Sequence, residues 1–338
     1  MKNKLLGNSG LIVSELCLGT MTFGNTVNEP DALKIMEKFH DNGGNFFDTA
    51  NVYNDGKSAE ILGKWAKEHD REEVVIATKV RFHTGNNPNS GGLTRKHILA
   101  SVKKSLQRLH TDYIDLLQVH AWDPLTPISE TLSTLDTLVK DGLVRYIGAS
   151  NFRAWQLSYA IDYSESHNLT QFVSLQPQYS LLARATEFEL IPYCRFKNIA
   201  VLPWSPLKGG LLSGKYTNKI EDMPEGTRYF RRRGQSNLWP WNKDGKYVWP
   251  LLKKLKSIGE KYGKTQAQVS LRWLLQNPVV TSPILGVSNM SQLDEDLGAT
   301  DFSLSERDME KINRESHLYV SYPYDLWADQ QQLDGRQL

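Results

Sequence analysis

The chain has 338 residues, and its length and composition exclude several classes of protein. With 40% hydrophobic and 23% charged residues it can fold around a sizeable core, which excludes a disordered chain. The 40 basic and 38 acidic side chains nearly cancel, so the charge balance gives no reason to expect binding to nucleic acid or membranes. No apolar run approaches the length of a membrane helix, about 20 residues.

Cysteine usage and the N-terminus indicate the cellular compartment. Cys17 and Cys194 are the two cysteines, and their wide separation fits neither a disulfide framework nor a metal-ligand motif. The first 19 residues lack the continuous apolar segment of a signal peptide, because Gly, Asn and Ser interrupt it. We therefore expect a soluble cytoplasmic protein with reduced thiols and no bound metal.

The chain opens with a predicted hairpin over residues 4–14, which turns at Asn8-Ser9-Gly10. Eight short apolar runs follow, and their continuity is typical of parallel strands that are buried on both faces. The predicted strands are Leu16–Gly19, Asn45–Asp48, Val74–Val80, Tyr113–His120, Val144–Ser150, Phe172–Gln176, Ala200–Ser205 and Thr281–Gly286.

Helical patterns separate these strands. The predicted helices are Asp31–Asn42, Ser58–Glu68, Thr94–Leu109, Ile128–Lys140, residues 153–167, 184–197, 248–262, 265–276 and 290–298, and Ser305–Arg314. The eightfold alternation predicts an α/β protein of the (β/α)8 TIM-barrel class, with an open doubly wound sheet as the alternative. We expect one domain over residues 1–338. A long loop after strand 7, residues 207–247, and a C-terminal tail, Leu318–Leu338, interrupt the pattern, and loops of that length are usually functional or mobile.

Four reactive side chains lie at or just after three successive predicted strands. Asp48 and Tyr53 follow the second strand, Lys79 ends the third and His120 ends the fourth. Each of them alone is more simply explained as a turn cap, a packing residue or a solvated charge. Because the carboxyl ends of barrel strands meet at one rim, their joint occurrence favours an active site.

These four residue types suit the protonation of a carbonyl oxygen. A tyrosine hydroxyl, with an ordinary pKa of about 10, is a poor acid at neutral pH, and a neighbouring ammonium lowers that pKa. A carboxylate holds the ammonium charged, and a neutral imidazole donates a hydrogen bond to the carbonyl oxygen. We therefore expect proton delivery to a carbonyl while another group delivers hydride.

Several motifs, in order along the chain, resemble those of the aldo-keto reductase superfamily. The resemblance covers residues 4–316 and is strongest to the branch that contains the potassium-channel β subunits and related bacterial-type reductases. It implies that Tyr53 is the general acid, that Lys79 and Asp48 tune it, and that His120 orients the carbonyl. The matching motifs are Leu18-Gly19-Thr20-Met21, Phe47-Asp48-Thr49-Ala50, Ala77-Thr78-Lys79, Asp115–His120, Gly148–Phe152, Trp204-Ser205-Pro206-Leu207, Ser213–Tyr216 and Gly286–Asn289.

The resemblance also implies a nicotinamide cofactor, extended across the barrel mouth. The sequence has neither the dinucleotide fingerprint G-x-G-x-x-G nor a phosphate-binding P-loop. The residues matching the family's cofactor contacts fall into four groups. They are Ser150, Asn151 and Gln176 for the carboxamide, Trp204 for the nicotinamide ring, Ser205, Leu207 and Lys215 for the pyrophosphate, and Gly286, Ser288, Gln292 and Glu295 for the adenosine end.

Two departures from the family pattern bear on the choice of cofactor. Many relatives carry Arg where this chain has Ser288, and Asn where it has Asp296. Arg228 occupies a place where the channel-subunit branch has an Arg, and it is the candidate for binding a 2′-phosphate. We therefore expect NADPH, with NADH less favoured.

The sequence predicts an NADPH-dependent aldehyde or ketone reductase. An NADPH-binding, redox-sensing regulatory subunit is the alternative, because the channel β subunits share the four reactive residues. Phe23 and Trp122 are expected to line the pocket for a small carbonyl substrate, and Trp239 and Trp241 are either pocket or loop-packing residues. A monomer and a homo-oligomer fit the sequence equally. We place the aromatic tail residues Tyr319–Trp327 against the barrel mouth, with the outside of the barrel as the alternative.

Overall fold

The N-terminal hairpin closes one end of the protein. The computed structural model describes residues 1–235, 238–316, 320 and 322–328. In it, β1 (Asn3–Leu5) pairs antiparallel with β2 (Ile12–Ser14), as predicted. The turn between them lies against two barrel strands, since a Cβ on Gly7 would stand 2.4 Å from the carbonyl oxygen of Val173. Gly7 has a φ of +61°, so both its conformation and this close approach require glycine.

Eight parallel strands form the central sheet, in the order β10-β3-β4-β5-β6-β7-β8-β9. They are β3 (Cys17–Gly19), β4 (Phe46–Asp48), β5 (Val75–Val80), β6 (Ile114–Val119), β7 (Val144–Ser150), β8 (Phe172–Gln176), β9 (Ala200–Val201) and β10 (Ile284–Leu285).

The sheet closes on itself. Val201 forms a parallel bridge with Val280, and the amide of Ile284 donates to the carbonyl of Pro203 at 2.9 Å. These bonds join the two ends of the strand order into a ring, which confirms the predicted barrel and excludes the open sheet. Strands β9 and β10 are shorter than predicted, because Pro203 and Pro283 have no N–H to donate to a strand ladder.

Helices surround the barrel, and several of them begin at a capping side chain. Asn28, Thr94, Thr265 and Ser305 each accept a backbone N–H at a helix start. The predicted helix over residues 184–197 is split into a 3-10 turn, Ala185–Glu187, and α6. The helices are α1 (Glu29–Asp41), α2 (Lys57–Ala66), α3 (Arg95–Leu109), α4 (Ile128–Lys140), α5 (Ala154–Ser166), α6 (Leu190–Phe196), α7 (Val248–Tyr262), α8 (Gln266–Leu275), α9 (Met290–Leu297), α10 (Glu306–Glu315) and α11 (Tyr324–Ala328).

Two apolar cores flank the sheet. The inner core fills the barrel near the hairpin and contains Leu6, Phe46 and Leu116. The outer core lies between the strands and the helices. Along β5, Val75 and Ala77 belong to the inner core and Lys79 continues the same inward face. The apolar filling therefore gives way to polar side chains toward the carboxyl ends of the strands.

The long loop and the tail both pack through aromatic side chains. In the loop, Trp241 contacts the rings of Tyr216, Tyr229 and Trp249, so it serves loop packing. In the tail, the Tyr324 ring stacks on Phe188, and its hydroxyl donates to Glu189 at 2.7 Å. Tyr319 and the side chain of Trp327 lie outside the described residues. No helix in the described part of the chain has the length and apolar character needed to span a bilayer.

Candidate active site

The carboxyl ends of β4, β5 and β6 bring the predicted residues to one rim. Asp48 pairs with Ala77 across β4 and β5, and Lys79 pairs with Gln118 across β5 and β6. Tyr53 begins a 3-10 turn, Tyr53–Gly56, a few residues after β4 ends at Asp48. Short connections from parallel strands therefore place the side chains together.

A buried ion pair lies at the centre of this rim. Lys79 donates to Asp48 Oδ2, and their side chains are 0% and 4% exposed. The same ammonium donates to the Thr49 carbonyl at 2.9 Å and to the Tyr53 hydroxyl at 3.2 Å. Burial would lower the pKa of Lys79, but the Asp48 carboxylate and the Tyr53 hydroxyl outweigh it and raise that pKa. Lys79 is therefore a permanent cation beside the Tyr53 hydroxyl.

Two amides hold the other oxygen of Asp48. Asp48 Oδ1 accepts from Gln176 Nε2 at 2.9 Å and from Gln118 Nε2 at 3.2 Å. Gln176 also donates to Gln118 Oε1 at 3.2 Å. Sequence reasoning missed Gln118, although it lies on the inward face of β6 one residue before Val119 and opposite Lys79. With both oxygens bonded, the carboxylate is fixed in orientation.

The pKa of Tyr53 departs from expectation. The sequence predicts that a neighbouring ammonium lowers this pKa, whereas the net shift is upward. Burial raises this pKa, and the opposing effect of Lys79 is smaller. Removing the hydroxyl from water disfavours the charged phenolate. This effect is larger than the stabilisation of the phenolate by one ammonium at 3.2 Å. Tyr53 is thus a protonated donor at neutral pH.

His120 completes the rim as a neutral imidazole. Its ring centroid lies 5.9 Å from that of Tyr53, edge to face. Burial, helped by the charges of Lys79 and Arg81, lowers the pKa of His120 to about 3. Its Nδ1 is buried and has no hydrogen-bond partner among the described residues. At neutral pH this side chain is therefore a neutral hydrogen-bonding group.

A polar cluster lies beside His120 at the ends of β7, β8 and β9. Asn151 donates to the His120 carbonyl at 2.9 Å and accepts from the Trp204 indole at 3.0 Å. The buried Ser150 hydroxyl donates to the Gln176 carbonyl at 2.9 Å. Four of the predicted residues are thus brought together, and their hydrogen bonds fix each other's orientation.

The loop after β9 has consecutive residues with positive φ and two nearby cations. Ser205 and Lys208–Gly210 have φ between +49° and +88°. A Cβ on Gly210 would lie 2.8 Å from Lys215 Nζ, and one on Gly209 would lie 3.1 Å from Arg228 Cδ. Lys215 and Arg228 therefore converge on the two glycines, and Leu207 lies half-buried just before them. Successive left-handed residues with adjacent cations suit an anion.

The predicted adenosine end lies at the start of α9. Gly286 and Ser288 are exposed, and the Gln292 side chain accepts from the Ser288 amide at 2.8 Å. Asp296 is buried, and burial together with the charge of half-buried Glu295 raises its pKa to about 8, against the opposing charge of Lys215. The Lys215 charge thus links this end to the loop after β9.

The two predicted substrate residues lie in different environments. Trp122 is half-buried just after β6, with its ring 5.4 Å from Phe152 and 5.5 Å from Trp155. Phe23 is fully buried in the core between barrel and helices, so its side chain offers no surface to a substrate. Of the two, only Trp122 is therefore positioned to contact a substrate.

Comparison with known proteins establishes the family. The sequence profile of the Aldo/keto reductase family matches residues 15–316. The chain belongs to this family. As an aldo/keto reductase the protein is an oxidoreductase, and the polar rim lies on a barrel of the expected class.

Relatives of this aldo/keto reductase include proteins with different assigned roles. It is 39% identical to the oxidoreductase YrpG of Bacillus subtilis (strain 168), over 93% of this chain and 95% of the relative. It is 37% identical to a candidate voltage-gated potassium channel subunit beta of Schizosaccharomyces pombe, over 88% of each chain. It is 32% identical to the versiconal hemiacetal acetate reductase of Aspergillus parasiticus, over 96% of this chain and 97% of the relative.

Proposed function

We propose that this aldo/keto reductase reduces an aldehyde or ketone to the alcohol, with NADPH as hydride donor and Tyr53 as proton donor. The observation that carries the proposal is the 3.2 Å contact between the Tyr53 hydroxyl and the buried Lys79 ammonium, beside a neutral His120. A protonated hydroxyl next to a fixed cation suits proton transfer to an oxygen that becomes negative.

Each residue of the rim has a separate role in this chemistry. NADPH, when bound, supplies hydride to the carbonyl carbon. His120 donates a hydrogen bond to the carbonyl oxygen and polarises it. Tyr53 gives its proton to that oxygen as negative charge develops. The Lys79 ammonium, held by Asp48, stabilises the phenolate that Tyr53 then carries.

The polar cluster at β7 to β9 supports binding of the nicotinamide end. A carboxamide presents one acceptor and two donors, and Ser150, Asn151 and Gln176 are amide or hydroxyl groups at neighbouring strand ends. Trp204 lies half-buried beside Asn151 and offers a flat face to the nicotinamide ring. We assign these four residues to the nicotinamide and its carboxamide.

The loop after β9 supports binding of the phosphates. We assign Ser205, Leu207 and Lys215 to the pyrophosphate, because Lys215 converges on the glycines with positive φ. We assign Arg228 and Ser288 to the 2′-phosphate, and Gly286, Gln292 and Glu295 to the rest of the adenosine end. The half-buried Trp122 is assigned to the substrate pocket.

Replacement of the proton donor tests the chemistry. Tyr53→Phe keeps the ring and removes the hydroxyl, so NADPH-dependent reduction of benzaldehyde should fall by about 10²- to 10⁴-fold. NADPH affinity, measured by its fluorescence, should stay close to the parental value. Tyr159→Phe, on an exposed tyrosine of α5, is the matched control. A Tyr53→Phe enzyme that keeps the parental rate contradicts the proposal.

Cofactor choice has its own test. Charge-assisted contacts to a 2′-phosphate should favour NADPH over NADH by more than about tenfold in Kd. Arg228→Ala should narrow that ratio, while Arg314→Ala, at an exposed position of α10, should leave it unchanged. Equal affinities of the unmodified protein for the two cofactors would overturn this assignment.

The similarity to a candidate channel β subunit supports a second candidate, a subunit that senses redox state through bound NADPH. Both functions use the same rim, so turnover distinguishes them. Repeated turnover with a panel of small aldehydes supports the reductase. A slow, single oxidation of bound NADPH with every aldehyde supports the sensor.

A further inference from the structure

Arg81 lies at the active-site rim and is not used by the chemistry proposed above. It is the first residue after β5, two positions beyond Lys79. The His120 amide donates to the Val80 carbonyl at 2.9 Å, which continues the alignment of β5 and β6 up to the rim. Arg81 therefore lies at the rim of the barrel, beside His120.

The Arg81 guanidinium forms no hydrogen bond or ion pair with the described residues, although the Asp123 carboxylate lies within electrostatic range of it. Its Nε is buried and has no hydrogen-bond partner among the residues that the structure describes, and it joins none of the ion pairs found there. The residue is half-buried overall, so part of the group reaches solvent. A buried donor without a partner costs free energy, and such a group in a folded protein calls for a ligand or a function.

The charge of Arg81 reaches the reacting groups. Its guanidinium carbon lies 5.0 Å from the Phe82 ring centroid, and that ring lies 4.6 Å from the His120 ring. Burial and Lys79 contribute more, but Arg81 also helps to lower the pKa of His120. A substrate held by His120 therefore lies within range of this cation.

The backbone at Arg81 is strained and held in place. Its φ of +152° falls in a region that L-residues rarely adopt. The Gly92 amide donates to its carbonyl at 2.7 Å, and the next amide, that of Leu93, donates to Asp123 at 2.8 Å. Strain of this kind persists where surrounding bonds enforce it, and it concentrates at ligand sites.

The position of β5 in the ring separates Arg81 from the cations assigned to the cofactor. Lys215 and Arg228 follow β9, and three strands lie between β5 and β9 in either direction around the barrel. Arg81 therefore lies on the opposite side of the mouth from the phosphate-binding loop. Because Arg81 lies on the side of His120, which holds the substrate in the proposed reaction, an anionic group of the substrate is the ligand that suits its charge.

We propose that Arg81 binds a carboxylate carried by the substrate, so that the preferred substrates are aldehydes or ketones that also bear an acid group. The planar guanidinium matches a carboxylate in geometry as well as in charge. This inference rests on the proposed reductase function and names its substrate class.

A pair of aldehydes of similar size tests the inference. 4-Carboxybenzaldehyde carries the anion, and methyl 4-formylbenzoate is its neutral ester. The unmodified enzyme should show a kcat/KM at least about tenfold higher for the acid, mainly through KM. Arg81→Gln should remove that preference and leave the ester within about threefold of its parental value. Arg81→Lys should keep part of the preference, and Arg314→Gln should keep all of it.

The outcomes separate the two proposals. Equal loss for acid and ester in Arg81→Gln would indicate a purely structural role and overturn the inference while the reductase stands. The inference is also overturned, and the reductase proposal kept, if the unmodified enzyme reduces both aldehydes but does not prefer the acid. If it reduces neither aldehyde, the reductase proposal fails first. Calorimetric binding of 4-(hydroxymethyl)benzoate to the NADP-loaded protein then tests Arg81 without turnover, and binding that is unaffected by Arg81→Gln overturns the inference.

Discussion

Asp48 shows how much of the site depends on a single buried charge. Its carboxylate bonds to Lys79 through one oxygen and to Gln118 and Gln176 through the other. Loss of that charge leaves the Lys79 ammonium in a fully buried position without a counter-ion. Such an uncompensated charge is costly, because the protein replaces little of the lost hydration.

We therefore expect Asp48→Asn to lower the free energy of unfolding by about 3–5 kcal/mol. Urea denaturation of the cofactor-free protein measures the effect. Glu29→Gln is the matched control, since it removes the charge from an exposed ion pair with Lys64 and should change stability little. If Asp48→Asn lowers the free energy of unfolding no more than the control does, then the Asp48–Lys79 ion pair does not stabilise the rim.

Asp296 gives a prediction for the pH dependence of stability. Its pKa, raised by burial to about 8, exceeds the ordinary value of 3.8, so the folded protein keeps a proton that the unfolded chain releases. The free energy of unfolding should therefore fall as the pH rises through that interval. Asp296→Asn should remove this fall and stabilise the protein at pH 8, as thermal unfolding across pH would show.

The control for this experiment lies on the same helix. Asp294 is exposed and pairs with Lys38 at 3.5 Å, so Asp294→Asn should leave the pH dependence unchanged. If Asp296→Asn and the unmodified protein lose stability in parallel between these pH values, then Asp296 is ionised in the folded protein and the assignment is wrong.

At the scale of elements, the loop after β9 combines glycine hinges with cations. Residues 207–233 include Gly209 and Gly210 next to Lys215 and Arg228. We expect the segment to close over NADPH as it gains charge-assisted contacts. Bound cofactor should slow tryptic cleavage at the exposed Arg231–Arg233, and a hundredfold excess over Kd should stabilise the fold by about 2.7 kcal/mol.

Arg228→Ala serves as the control for loop closure, since it should weaken the protection more than Arg314→Ala does. Cleavage that is equally fast with and without NADPH in the unmodified protein would contradict closure of this segment over the cofactor.

At the scale of the whole molecule, the described part of the tail, residues 322–328, contacts the barrel through Tyr324. Tyr324 stacks on Phe188 and donates to Glu189, just before α6 begins at the rim end of the barrel. We predict that deletion of residues 318–338 changes KM for the carbonyl substrate and leaves NADPH affinity unchanged. Tyr324→Ala, which removes only this contact, should show part of the same effect. If KM for the carbonyl substrate is the same in the truncated and the full-length enzyme, then the tail packs on the outside of the barrel and not at its mouth.

The local sequence pattern was enough to predict the barrel and to select four candidate reactive residues. Strand–helix alternation and buried apolar runs are local patterns, because backbone conformation and side-chain periodicity are set by neighbours along the chain. The order of Asp48, Tyr53, Lys79 and His120 on successive strands was enough to place them on one rim.

The energetic details of the site depend on contacts between residues that are distant in sequence. Gln118 donates to the Asp48 carboxylate because the strand register places it there, and no local pattern encodes that register. Burial, not the neighbouring ammonium, determines the direction of the Tyr53 pKa. Burial also keeps the Phe23 side chain away from any substrate, and in the described part of the fold Arg81 Nε has no hydrogen-bond partner. Register and desolvation depend on residues that are distant in sequence, so they become defined only when the barrel closes.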